Sequence, residues 1–539
     1  MNTGQRLLKT LSVVCAFGIL AACAAPTAAP TAVPAATSAP AATSAPAQPT
    51  TAPAQPTAAS AGQPYTVAQG DTLASLADKF LGNKDWLWAI YGATNQQHIQ
   101  DASFTQITNP DTVPVGSKIW IPSKDVATAF MAKFDPTNPD IAMLFPKPAG
   151  GQLIAGNWWT SAGEFAAINA VYDLYRQMYP GVDLVHAGIA GGGGVNFKGA
   201  TLTRLQGGDP YDVFQLHAGL EVVQYDPEQY LSPVEDIINA GEGTVMSQQL
   251  KDLLTYKGHM WTVPMNIHRG NVLWINKKIF ADNNLQPPTT FEEFFTVAEA
   301  LKAKGIVPLA LGNSEGFELS QTFEAVLIAT VGGEGLKNLW NGKLSWNDPK
   351  VADALNTYKK LLTYVNTDHD ALSWDQATKL VINGQAAMNI MGDWADGEFI
   401  NAGMTSADYA GIPAPGNEGV FGLVSDGFAL PLASANHENA VKFLELVTTR
   451  EAQEAFNIKK GSICARTDCD YTNFDDYLKS SAADFATDII VPSATHGSAI
   501  VPSWASAFGD ILKKFTADGD VAAAQAALVS AATDAGVAQ

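Results

Sequence analysis

Residues 24–63 set the first limit on how this chain of 539 residues can fold. They are almost entirely Ala, Pro, Thr, Ser and Gln, with no charged residue and a single Val. Such a stretch cannot bury enough apolar surface to offset the entropy of ordering it. Its prolines favour extended segments at about 3.1 Å per residue, so it can span on the order of 100 Å. The composition changes abruptly at Pro64. The stretch reads as a disordered tether, and every core is predicted to lie beyond it.

Ahead of the tether, Arg6 and Lys9 precede the apolar run LSVVCAFGILAA, which is short for a bilayer span. The run ends at Leu20-Ala21-Ala22-Cys23, which resembles a bacterial lipobox. That resemblance implies a leader over 1–22 and an acylated Cys23 opening a 23–63 linker. The lipid would anchor the protein to a membrane surface without a transmembrane helix. Cys15 leaves with the leader, so the body keeps Cys464 and Cys469. In an oxidising compartment a local disulfide between them is favoured over free thiols. The formal net charge of −21 leaves no basic footprint for nucleic acid and no attraction to anionic lipid.

From Pro64, YTVAQGDTLASLADKF reads as a short strand (Tyr65–Val67), a Gly-Asp turn and a helix. The helix places Leu73, Leu76, Ala77 and Phe80 on one face, with Asp71 as its N-cap. A second helical stretch, DWLWAIYGATN, and a closing strand in VPVGSKIWIP follow. This βααβ order, carried by YTVAQGDTLASLA, the helix ending at Asn95 and VGSKIWIP, resembles the LysM domain over 64–123. The resemblance implies binding of N-acetylglucosamine-containing glycans such as peptidoglycan. The implied groove lies between Gly70-Asp71-Thr72 and the loop around Thr108-Asn109-Pro110.

A proline-containing connector, 124–150, leads to the main body, 151–539. There GQLIAGNWW reads as a strand and EFAAINAVYDLYRQMYPGV as a helix. Phe165, Ile168, Tyr172 and Tyr175 recur at steps of three and four, and Pro180-Gly181 ends the run. DLVHAGI is a second strand, a helix spans about Asn196 to Leu205, and GGDPYDVFQLHAG holds a third strand. Alternating β and α elements imply a largely parallel sheet in an α/β fold. Roughly four hundred residues exceed one core, so two lobes are expected.

Enzyme signatures are missing from this body. GGGG at 191–194 is followed by Val-Asn rather than Lys-Ser/Thr, so it is not a phosphate loop. There is no GxSxG elbow and no HExxH. The eight histidines show no pair at metal-ligand spacing, so neither metal nor cofactor is expected. Aromatic and polar residues gather instead at element ends: Trp158, Trp159 and Glu164; Gln215 and His217; Asn266 and His268; Trp374; Asp393 and Trp394; Asp426; Lys460; His496; and Trp504. In open α/β sheets ligands collect beyond the carboxyl ends of strands. Indole faces stack on the C–H faces of a pyranose, while carboxylate, amide and imidazole groups bond its hydroxyls.

These motifs, with "NWWTSAGE", "TYKGHMWTVPMNIHRGNVLW", "LSWDQA", "MGDWA", "SDGFALP" and "KKGSICAR", resemble the extracellular solute-binding proteins of sugar ABC transporters. The likeness runs from about 151 to the C-terminus and is strongest to the glucose-binding branch. It implies two α/β lobes joined by crossing hinge strands, in a periplasmic-binding-protein-like fold. It also implies a monosaccharide ligand, glucose or a related hexose, delivered to the permease of an ABC transporter. Sugar contacts would fall on Trp158 or Trp159, Glu164, Gln215, His217, Trp374, Asp426, Lys460 and His496, to which the residue reading adds His268. Two departures stand out. The Cys464/Cys469 pair follows directly on the Lys460 loop, and Asn313-Ser314-Glu315 lacks the aromatic character of close relatives. The competing reading is a cell-wall glycosidase, because LysM modules often accompany hydrolases and such an enzyme needs only two well-placed carboxylates.

Overall fold

The computed structural model describes residues 62–107, 110, 112–133 and 149–539. The leader, Cys23, the tether through residue 61, Thr108, Asn109 and residues 134–148 lie outside the described residues. Among those described, no helix is long and apolar enough to cross a membrane.

The LysM-like module pairs Gly62–Thr66 antiparallel with Lys118–Pro122. Helices Leu73–Leu81 and Leu87–Gln100 pack behind this pair. The core holds Leu73, Leu76, Ala77, Ile90, Ile119 and Ile121. Capping differs from the sequence expectation. Thr72, not Asp71, is the N-cap, in a capping box with Ser75. Asp71 instead ties the preceding turn, accepting from Tyr65 Oη and Ala68 N at 2.8 Å each. The stretch expected as connector begins with a helix, Lys124–Lys133, whose Ala127 is buried in the module's core and whose Phe130 and Met131 pack against it.

The body has two lobes with separate cores. The first-lobe sheet runs in the order Asp183–Gly188, Gln152–Asn157, Val213–His217, Asp426–Pro431, Leu231–Ser232, and Val263–Pro264 also pairs with Asp426–Pro431. Its first three strands are parallel. Asp426–Pro431 is antiparallel to Val213–His217, setting Asp426 opposite His217. The second-lobe sheet runs Val307–Ala310, Ala386–Met391, Val272–Asn276, Tyr409–Pro413, and only its first pair is parallel. The largely parallel sheet expected from β/α alternation is therefore mixed. Parallel neighbours need a crossover, whereas strands returning from the other lobe enter from the opposite end.

Those returning strands build the hinge. A small sheet, in the order Ile463–Cys464, Asn266–Arg269, Val420–Val424, Ile489–Pro492, sits between the lobe sheets. The chain passes through it along 263–276, along 409–431, and after Ile489–Pro492 into helix Pro502–Asp518 of the second-lobe core. Cys464 and Cys469 are disulfide-bonded at its edge.

Helix Ala162–Met178 carries the first lobe's buried stripe, Glu164, Ala167, Ile168, Val171, Tyr172, Tyr175 and Met178. Phe165, expected on that stripe, is 43% exposed and lies edge-on to His186. The first turn is rotated inward because Gly163 abuts Gly397 of the second lobe, where an added Cβ would come within 2.7 Å of backbone. Gly163 N also donates to Glu398 Oε1 at 3.0 Å.

Candidate functional site

Between the lobes lies a narrow cavity, with about 20 Å³ of room for the centre of a water-sized sphere. Its first-lobe wall is polar. Val213–His217 ends in His217, and Asp426 starts the strand beside it, so register alone juxtaposes the two. Asp426 is 3% exposed. Its Oδ1 accepts from Gln215 Nε2 at 2.9 Å and its Oδ2 from Asn266 Nδ2 at 3.0 Å. His217 Nε2 and His268 Nε2 approach the same carboxylate at 3.7 and 3.4 Å. Burial alone would raise the Asp426 acid, but hydrogen bonding to His268 and the charges of His217, His268 and Lys460 hold it well below the carboxylate range.

The chain of charge continues outward on both sides. His217 Nδ1 meets Glu221 Oε2 at 2.6 Å, and Lys198 Nζ meets the same oxygen at 2.7 Å. On the other side His268 Nδ1 pairs with Asp393, whose second oxygen accepts from Arg269 N at 2.9 Å. Desolvation opposes a charged His268, yet the Asp393 carboxylate raises its pKa. Burial in turn raises Asp393, so this pair retains a proton between them.

Lys460 is delivered by the last turn of helix Arg450–Lys460, which packs along helix Ala162–Met178. Its ammonium lies 3.1 Å from Glu164 Oε1, both groups being buried. Desolvation raises Glu164 despite that neighbour. Gly461 follows with φ +78°, and a Cβ there would collide with the backbone of residues 393–397, so glycine lets the lysine turn reach the second lobe.

Aromatic rings line the rest. Trp158 sits 4.9 Å from the His217 ring, and its backbone N–H donates to Gln215 Oε1 at 3.0 Å. From the second lobe come Trp374 and Trp394. The His496 ring stands 5.1 Å from Trp394 and 5.5 Å from Phe317. Desolvation, reinforced by the charges of His217 and Lys198, pushes His496 well below the usual imidazole value, so it is neutral. Its Nδ1 lies 3.1 Å from Ser493 Oγ.

The glycine run 191–194 is a closure surface. Gly193 and Gly194 take φ of +58° and +75°, and a Cβ on Gly194 would strike the Trp158 ring at 2.7 Å. Gly192 N donates to Glu315 Oε1 of the second lobe at 2.6 Å, while Trp374 N donates to Glu315 Oε2 at 3.3 Å. With Gly163 and Gly192 both bridged to the second lobe, the cleft is in a closed state.

Of the residues singled out from sequence, Trp158, Trp159, Glu164, His217, His268, Trp374, Trp394, Asp426, Lys460 and His496 all line this cavity. Trp159 offers it little, since its ring is fully buried against Phe428 and Phe456. Adjacent residues leave a strand on opposite sides, so one indole of the pair faces the cleft and the other the core. Gln215, Asn266 and Asp393 stand one layer back, fixing Trp158, Asp426 and His268. Trp504 is a core residue of the second lobe, packed on Trp346 and Phe508. Phe317 and Val424 line the cavity without having been singled out, and Gly193 comes from the glycine run 191–194. Phe317 lies two residues beyond Glu315, with Gly316 between them.

In the LysM-like module Gly70 is exposed with φ +89°, Asp71 and Thr72 hold the turn and helix cap, and Pro110 is partly exposed. Asn109 lies outside the described residues, so only one side of the implied glycan groove is defined. Among the described residues no group of three or more His, Cys, Asp or Glu side chains is arranged to hold a metal ion.

Residues 158–454 match the bacterial extracellular solute-binding protein family. An uncharacterized ABC transporter extracellular-binding protein of Pyrococcus horikoshii is 36% identical over 380 residues, 70% of this chain and 86% of that protein. The chain belongs to the bacterial extracellular solute-binding protein family. A probable sugar-binding periplasmic protein of Mesorhizobium japonicum is 31% identical over 369 residues, covering 67% of this chain and 87% of that one. Among solved structures, the bacterial solute receptor AcbH superposes with a TM-score of 0.63 at 20% identity, covering 72% of this chain and 99% of the receptor. Residues 65–122 match the LysM domain. This solute-binding protein thus has the two-lobed fold of its family with a LysM domain ahead of it, and the cavity above lies at the lobe junction.

Proposed function

We propose that this protein is the extracytoplasmic receptor of an ABC sugar importer and that its cleft closes on a neutral monosaccharide, glucose or a related hexose. The observation that carries this reading is the cavity itself. Three indoles from two lobes surround a carboxylate held by two imidazoles and beside an ammonium–carboxylate pair. Indoles cover the C–H faces of a pyranose, and the fixed acceptors and donors match its hydroxyls. A site built that way rejects ligands that leave its buried groups unpaired. The Mesorhizobium relative is named a probable sugar-binding protein, and the AcbH structure is described as a receptor for β-D-galactopyranose. Both support a sugar as ligand.

The arrangement suits holding rather than hydrolysis. Both Asp426 oxygens are already committed to Gln215 and Asn266, and its depressed pKa leaves it no proton to donate as a general acid. Contacts made with both lobes stabilise the closed state, which the permease reads. The proposal extends to the envelope: a lipid on Cys23 holds the chain at the membrane, the 23–63 linker gives it reach, and the LysM domain grips peptidoglycan through the Gly70-Asp71-Thr72 and Asn109-Pro110 loops. The test is calorimetric titration of the protein with hexoses, alongside an assay for sugar turnover. Stoichiometric binding with sugar recovered unchanged supports the receptor, and turnover would replace it with an enzyme.

A further inference from the structure

At two points beside the cavity a second-lobe carboxylate accepts from a first-lobe backbone N–H. The first N–H groups of a helix have no intrahelical acceptor, and helix Ala162–Met178 opens without a side-chain cap of its own. Ser161 stands at its N-cap position but makes no cap bond, and its Oγ has no hydrogen-bond partner among the described residues. Glu398, on helix Trp394–Asn401 of the second lobe, supplies the missing acceptor: its Oε1 takes the Gly163 N–H at 3.0 Å. Glu398 is 3% exposed, and its other oxygen lies 4.0 Å from Lys379 Nζ. The helix dipole and charge-assisted bonding both favour a carboxylate there. At the second point Glu315 Oε1 accepts from Gly192 N at 2.6 Å. Gly191, which precedes it, has no side chain to cap the turn leading into helix Val195–Gly207.

The receiving positions are shaped for these contacts. A Cβ on Gly163 would come within 2.7 Å of the Gly397 backbone, and one on Gly192 within 2.6 Å of the Glu315 and Trp374 side chains. Neither glycine has a positive φ. Their conformation does not require glycine, but the fit between the lobes does. Each contact also leads straight to the cavity wall. Gly163 precedes Glu164, and the second Glu315 oxygen accepts from Trp374 N at 3.3 Å. Glu398 and Glu315 themselves form no part of the cavity lining.

We propose that Glu398 and Glu315 form a two-point closure latch, positioning residues that accept from first-lobe amides only when the lobes meet and so set how tightly the closed cleft holds its sugar. The proposal rests on the sugar-receptor reading. Its test compares the intact protein with Glu398→Gln, Glu315→Gln, Gly163→Ala and Gly192→Ala. Each is titrated with glucose and galactose by calorimetry, and amide hydrogen exchange is followed by mass spectrometry with and without sugar. In wild type, peptides containing Gly163 and Gly192 should gain protection when sugar is added. Each Gln variant keeps an acceptor but loses the charge, and should bind about three- to ten-fold more weakly. Gly163→Ala and Gly192→Ala wedge the lobes apart, and each should lose more than about ten-fold in affinity together with that protection. Alanine favours the helix at position 163, so the sugar-free thermal midpoint of Gly163→Ala should not fall, which separates a closure defect from a folding defect. Variants that all bind within about two-fold of wild type refute the latch and leave the receptor reading standing. So do variants that weaken yet keep sugar-dependent protection at both glycines, or a wild type that binds hexose without gaining protection there. If wild type binds neither hexose, the receptor reading falls and takes the latch with it.

Discussion

The first lobe brings charge to the cleft, and the second brings aromatic surface. On the first-lobe side Asp426, His217, Glu164 and Lys460 are bonded to one another or to the layer behind them in the closed structure. On the second-lobe side Trp374, Trp394 and Phe317 present rings, with His496 kept neutral among them. On the charged side Trp158 faces the cleft, while Trp159 packs on Phe428 and Phe456. The contrast separates two tasks. A wall whose groups are preorganised sets which hydroxyl pattern fits, whereas an apolar wall contributes area once the lobes meet. His268, on the hinge, joins the two, reaching Asp426 of the first lobe and Asp393 of the second.

Breaking the charged wall should have the largest effect. Asp426→Asn leaves two imidazoles and Lys460 without their shared anion, and disrupting a buried charge network costs about 3–5 kcal/mol. Hexose affinity measured by calorimetry should fall by more than about a hundred-fold, with a lower thermal midpoint. A variant that still binds at wild-type strength would show that Asp426 only supports the fold. On the aromatic wall, Trp374→Ala and His496→Ala should each cost roughly 1–3 kcal/mol of binding, about five- to over a hundred-fold. Circular dichroism should show both variants folded, and unchanged affinity in both would move the ligand elsewhere.

The two walls also differ in the sign of their response to pH. His268 has its pKa raised, with Asp393 outweighing desolvation, so its stabilising contribution is present below the ordinary imidazole value of about 6.5 and is lost as pH rises through the raised value. His496 has its pKa lowered by desolvation, so its contribution is present above about 6.5 and is lost as pH falls toward the depressed value. Against wild type, His268→Gln should therefore cost more stability at pH 5.5 than at pH 9, and His496→Gln more at pH 8 than at pH 5.5. Denaturant titrations across that range decide it, and parallel pH profiles for the two variants would erase the contrast. The smallest expected effect is on the hexose affinity of a protein lacking residues 62–133, the LysM domain with the helix packed on its core. That affinity should stay within about two-fold, because each module has its own core. Sedimentation with purified peptidoglycan should be abolished. Hexose affinity that shifts several-fold on deletion would mean the modules are coupled, and linkage then requires hexose to alter wall binding by the same factor.

Much of this architecture was legible in the chain because it is local. The βααβ module and the β/α alternation of the body follow from composition and periodicity, although the first strand starts at Gly62, two residues before the expected boundary. The residues that the structure gathers at the cleft sit at element ends, where polar and aromatic side chains have no core to serve. What escaped depends on partners distant in sequence. Trp158 and Trp159 are equivalent on paper, and only the packing of Phe428 and Phe456 draws the second indole into the core. Trp504 fell into the candidate set by type alone, whereas Trp346 and Phe508 claim it for the second lobe. The inward turn of Glu164 and outward turn of Phe165 depend on Gly397 across the cleft. Thr72 displaces Asp71 as N-cap because the Asp71 carboxylate is already taken by Tyr65 and Ala68. Phe317 went unnoticed among Gly312, Gly316 and the polar residues between them, a setting that reads as loop until the lobes are brought together.

The central claim is that both walls close on one sugar. Titration calorimetry of the intact protein with glucose and galactose, with the sugar recovered afterwards, tests it most directly. The account predicts one site per chain, an affinity near micromolar or about −8 kcal/mol, and a ligand returned chemically unchanged. Saturation by a peptide or muropeptide with no heat from any hexose or disaccharide, or recovery of a cleaved sugar, would contradict it.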